Sequence, residues 1–105
     1  MRVNDEVLRE IAEDAYENAG YGIENYSGYH VIWESDEEPD FNYAVAINKE
    51  CDDDGNDQHY TIYVNDNDDL NNFWEYTDTL DVDELAAKLS EICDSIETYE
   101  NGKEN

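Results

Sequence analysis

Positive charge is scarce in this chain. Five Lys and Arg stand against 30 Asp and Glu, a formal charge of −25 over 105 residues. That balance excludes nucleic acid and anionic membrane as partners, because both would be repelled, and it favours basic surfaces. The sequence contains neither a long apolar run nor the apolar core of a secretion signal, so the expectation is a cytoplasmic protein. The two cysteines, Cys51 and Cys93, match no metal or redox spacing, and a reduced pair is expected. The single proline, Pro39, cannot join a central ladder and marks a turn. Phosphate loop, nucleophile elbow and cysteine–histidine signature are all missing, so neither a cofactor nor an enzymatic activity is expected.

Aromatic residues are plentiful by contrast. Nine Tyr and two Trp help to bring the aromatic share to 12%, and the apolar positions are periodic. Both features argue for a folded chain at a charge that often accompanies disorder. The length suits one acidic domain, expected over residues 1–100, with 101–105 as a disordered tail. Solubility alone needs a net charge of only about 2 to 8 in a small domain, and a larger excess destabilises the compact state by self-repulsion. The excess therefore points to function. Halophilic adaptation competes as an explanation, but the chain keeps the large apolar and amide residues that halophiles generally give up.

Residues 41–66 organise the pattern. Phe41, Tyr43, Val45 and Ile47 share one parity, Asn42, Ala44, Ala46 and Asn48 the other, and Tyr60, Ile62 and Val64 resume the alternation. Period two is the mark of half-buried strands, here a hairpin with an acidic tip. Tyr29, Val31 and Trp33 alternate with His30, Ile32 and Glu34 as an earlier strand. A first helix starts at the N-cap Asn4, keeps apolar spacing from Val7 to Ala19 and stops at Gly20. Its outer face carries Glu6, Glu10, Glu13, Asp14 and Glu17, relieved by Arg9 alone, so it must depend on packing. Leu70, Phe73 and Trp74 have helical spacing over a short stretch. The last helix is capped by Asp81 with Glu84 three residues on, and Leu80 and Leu85 occupy the staple positions. Its stripe of Val82, Leu85, Leu89, Ile92, Ile96 and Tyr99 reads as core rather than coiled-coil seam. The expected fold is α+β: a three-stranded antiparallel meander with an N-terminal helix and one or two C-terminal helices, in the order α-β-β-β-(α)-α.

In an up-down-up meander, turns alternate between the two ends of the sheet. Asp36, Glu37, Glu38, Asp66, Asp68 and Asp69 are thus expected to form one carboxylate cluster, and Asp52, Asp53, Asp54 and Asp57 a second at the opposite end. The run Glu50, Asp52, Asp54, Gly55 copies the front of a calcium loop, but position twelve is Thr61 and no helix pair flanks it, so no metal site is expected. His30 and His59 share the parity assigned away from the core and would sit about 10 Å apart, too far to share a metal. That second parity also holds Ile32, Ala44, Ala46, Thr61 and Tyr63, and is either covered by the first helix or open to a partner.

An acidic amphipathic helix, a three-stranded meander and acidic C-terminal helices together resemble small acidic phage inhibitors that imitate DNA. The likeness is greatest to anti-CRISPR proteins acting on type II-A effector nucleases. The resemblance implies inhibition in the bacterial host cell by occupying the DNA-binding groove of a basic, RNA-guided nuclease. Carboxylates of the two clusters would then replace phosphates and base edges at arginines, which pair bidentately with either. An immunity protein, antitoxin or anti-restriction protein neutralising another basic nucleic-acid-binding protein is the alternative. A calcium- or histone-binding acidic module is a third class.

Overall fold

Asn4 begins the fold as the sequence predicts: its side chain accepts from the Val7 N–H at 3.0 Å and starts helix α1 (Asp5–Asn18). The computed structural model describes residues 1–22, 24–38, 41–51, 58–66, 73–78 and 81–103. After α1 come β1 (Tyr29–Glu34), β2 (Asn42–Cys51), β3 (Gln58–Asp66), β4 (Phe73–Thr77) and α2 (Val82–Lys103). Asp81 caps α2, its carboxylate accepting from the Asp83 N–H at 2.7 Å. The helix runs three residues into the expected tail, while Glu104 and Asn105 lie outside the described residues, as do Leu70 and Leu80.

The sheet has four antiparallel strands in the order β1-β2-β3-β4, which corrects the three-stranded expectation. Residues 73–77, read as part of a short helix, instead pair with β3 from Tyr60↔Thr77 to Val64↔Phe73. Five residues are too few to distinguish the two periods, and their aromatic content suits a strand. Pairing also satisfies the backbone groups along the open edge of β3, which an isolated helix would leave bare.

A second correction lies in β1. The register runs Tyr29↔Ala46, His30↔Val45, Val31↔Ala44 and then Trp33↔Tyr43, so Ile32 is an extra residue in a bulge. The bulge resets the parity. Ile32 and Trp33 are both buried in the core, while Tyr29 and Val31 are exposed. His30 accordingly lies opposite Val45 on the core face, and His59 lies opposite Glu50 on the other, so the two histidines do not share a face.

Both helices cover the same face of the sheet. Leu8, Ile11, Ala12 and Ala15 of α1, with Leu85, Leu89, Ile92, Cys93 and Ile96 of α2, pack against Val45, Ile47, Tyr60, Ile62 and Val64. Each fully buried leucine in such a layer contributes about 2 kcal/mol by leaving water. Two arginines tie the acidic helices together. Arg2 donates to Asp94 on α2 and to Asp5 on α1, and Arg9 to Asp83 on α2 and to Glu13 on α1. Burial works against the Arg2 charge, but the hydrogen bond to Asp94 and the neighbouring carboxylates raise its pKa above the ordinary value.

The chain also protects one side of the sheet. Residues 1–3 run along β1, with the Val3 N–H donating to Ile32 O and the Glu34 N–H to Met1 O, both at 3.0 Å. The stretch after α1 runs along β2 beyond the start of β1, where Gly22 N–H donates to Lys49 O and Lys49 N–H to Gly20 O. Gly20 follows the C-cap Ala19 as the expected C′ stop of α1, although among the described residues Gly22 and Gly28 are the glycines with positive φ. The small size of Gly20 matters, because a Cβ there would lie 2.8 Å from the Cβ of Asn25. The molecule measures 48 × 27 × 20 Å. Among the described residues no helix is long and apolar enough to cross a membrane.

Candidate functional site, an acidic groove

The β1–β2 connection is held by Ser35, whose hydroxyl accepts from the backbone N–H groups of Glu37 at 3.2 Å and Glu38 at 3.0 Å. This hydroxyl-anchored turn leaves Asp36, Glu37 and Glu38 exposed at one end of the sheet. The last turns of α2 pass the same end and bring Glu97 and Glu100 to it. The five carboxylate residues, with Trp33 and Phe41, line a groove of about 640 Å³.

The floor is aromatic. Trp33, Phe41 and Tyr43 meet edge to face, with centroid separations of 6.1, 5.6 and 5.5 Å around the triangle. Trp33 and Tyr43 are hydrophobic in bulk but carry polar tips that need partners when buried. Those partners are the acids. Trp33 Nε1 donates to Glu97 Oε1 at 3.1 Å, the Arg2 backbone N–H donates to the same oxygen at 2.8 Å, and the Tyr43 hydroxyl donates to Glu100 Oε1. These three neutral donors help to fix the geometry of the two α2 carboxylates and add no positive charge of their own. This arrangement can bind a cationic group, and arginine above all, because a guanidinium presents a planar fork of donors to carboxylates.

Of the predicted first cluster, the structure brings Asp36, Glu37 and Glu38 to this end. Asp66 is paired opposite Tyr43, so its backbone reaches the same end, while Asp68 and Asp69 lie outside the described residues. The second cluster, Asp52, Asp53, Asp54 and Asp57, also lies outside them; the hairpin strands close on Cys51↔Gln58 at the far end of the sheet. Sequence reasoning missed Glu97 and Glu100. The available signal was their spacing, three apart and so on one side of α2.

Both histidines lie beside carboxylates. His30 Nε2 lies 3.1 Å from Asp14 Oδ2, and His59 Nε2 lies 3.7 Å from Glu50 Oε2. Among the described residues no three His, Cys, Asp or Glu side chains are grouped to hold a metal ion. Cys51 is exposed and Cys93 buried, both as free thiols; burial pushes the Cys93 thiol up to about 11. No protein-family model matches this chain, and neither a curated protein nor a solved structure proved similar to it.

Proposed function

We propose that this protein is an inhibitor that imitates DNA and blocks the DNA-binding groove of a basic nuclease, in the manner of an anti-CRISPR protein. The observation that carries the reading is the acidic groove, in which Trp33, Tyr43 and a backbone N–H orient Glu97 and Glu100 beside the exposed Asp36, Glu37 and Glu38. A charge of −25 along a 48 Å axis is one charge per about 1.9 Å, close to the value of about 1.7 Å for B-DNA. Arginines that read a short DNA motif find in carboxylates the same bidentate acceptor geometry.

The test is a pull-down with tagged protein against purified RNA-guided effectors and restriction enzymes, with duplex DNA as competitor. Capture of an effector that DNA displaces is the expected result. Capture that DNA leaves untouched would reject mimicry, and capture of none would turn attention to a toxin or another basic partner.

A further inference from the structure

The sheet face turned away from both helices carries a different chemistry from the groove. Tyr29 lies opposite Ala46, and Tyr76 opposite Thr61, so both belong to this face. Tyr26 joins them, its ring 5.3 Å from that of Tyr29 and inclined to it at 67°, while His59 packs 5.1 Å from Tyr76. The three tyrosines are 41%, 61% and 52% exposed, in the order Tyr26, Tyr29 and Tyr76. Between them the floor is closed: Ala46, Asn48, Thr61 and Tyr63 are buried. Among the described residues this face thus presents exposed tyrosine rings around a buried floor.

Charge identifies what fits there. The described carboxylates of this face are Glu34, opposite Asn42, and Glu50, opposite His59. All four basic side chains described lie on the helical side. Arg2 and Arg9 tie α1 to α2, Lys49 donates to Tyr16 O at 3.2 Å, and Lys88 pairs with Glu91 at 3.6 Å. A second copy of a chain with a charge of −25 would be repelled, as would nucleic acid. Among cations, guanidinium suits exposed tyrosine rings best, because it is planar, weakly hydrated and stacks on aromatic faces.

We propose that this face is a second contact surface, on which Tyr26, Tyr29 and Tyr76 stack against arginine side chains of a basic protein partner. It rests on the reading of the protein as a ligand for a basic partner, and extends it from carboxylate pairing to arginine stacking. The partner therefore grips two sites of different chemistry.

The test uses oligo-arginine and oligo-lysine peptides of equal length as probes, so it does not depend on which nuclease, if any, is captured. Titration is followed by ring-proton chemical shifts and by calorimetry at moderate salt. The wild type is expected to bind the arginine peptide about fivefold more tightly than the lysine peptide. Tyr29→Ser with Tyr76→Ser should bring the two affinities together, and Tyr29→Leu with Tyr76→Leu, which keeps apolar area but removes the π faces, should do the same. Glu37→Gln with Glu38→Gln should weaken both peptides while leaving an arginine preference. Equal wild-type affinities, or a preference that both tyrosine pairs leave intact, would overturn the proposal. Failure of the nuclease pull-down alongside a tyrosine-dependent arginine preference would reject DNA mimicry and leave this surface standing.

Discussion

Two acid-rich regions of this molecule hold their carboxylates in different ways. In the helical layer Asp5, Glu13, Asp83 and Asp94 meet the guanidinium groups of Arg2 and Arg9. In the groove Glu97 and Glu100 meet an indole N–H, a backbone N–H and a phenol, while Asp36, Glu37 and Glu38 face solvent. Cation pairing neutralises charge and holds elements together; neutral donors hold geometry and leave the charge available. The scarce arginines thus mark where acidity serves the fold. Their absence from the groove's described lining marks where acidity is presented outwards.

The sharpest way to break this comparison is charge reversal in each region. Glu37→Lys with Glu38→Lys should weaken binding to the captured basic partner by about 100-fold. Glu10→Lys with Glu13→Lys on the outer face of α1 should change it by no more than about threefold, since distant surface charges are screened. Equal losses measured by calorimetry would erase the distinction between groove and helices.

High pH probes the buried layer beneath both regions. Burial pushes Cys93 from 9.0 up to about 11 and Tyr60 from 10.0 up to about 12. The folded protein then keeps protons that the unfolded chain releases, so these groups' contribution is full below about pH 9 and is lost as pH rises through 11 and 12. Thermal melts between pH 8 and pH 11 should show Tm falling, and Cys93→Ala should fall less steeply even if it starts lower. A wild-type curve flat to pH 11 would contradict the assignment.

Arg2 ties the two helices together, and its substitution by Ala should cost about 2 kcal/mol, because its own side chain is largely buried where it reaches the exposed carboxylates of Asp5 and Asp94. Trp33→Phe keeps a ring in the groove floor but removes the donor to Glu97, and should cost about 1 kcal/mol in denaturant melts. A larger loss for Trp33→Phe than for Arg2→Ala would reverse the roles assigned here. The smallest effect is global: added salt should raise Tm by a few degrees through screening of self-repulsion. An unchanged Tm between low and moderate salt would mean that local pairing already relieves the repulsion.

Elements with both a cap and a long period were legible in the sequence. Asn4 and Asp81 mark the starts of α1 and α2, and strict alternation marks β2 and most of β3. What escaped has a local cause in each case. The strand at residues 73–77 is too short for its period to be read, and its identity comes from the edge of β3. The bulge at Ile32 inverts the facing of Tyr29, His30 and Val31 relative to Trp33 without altering the composition of β1. The groove was half legible: the acids of one turn are visible as a run, but Glu97 and Glu100 join them only because α2 crosses the sheet beside Trp33 and Tyr43. Tertiary packing creates that neighbourhood; spacing shows only that the two glutamates share one side of α2.

The strap along β1 has a consequence for how the chain reaches this state. Arg2 hydrogen-bonds through its backbone to Glu97 and through its side chain to Asp94, contacts spanning 95 and 92 positions of the sequence. Closing loops of that length costs entropy that local contacts cannot recover, so such pairings form late and slowly. Arg2 can reach Asp5 of α1 locally, but its contacts to Asp94 and Glu97 require α2. The groove completed by Glu97 is thus among the last features to assemble, and an unfinished chain carries the acidity without the binding geometry.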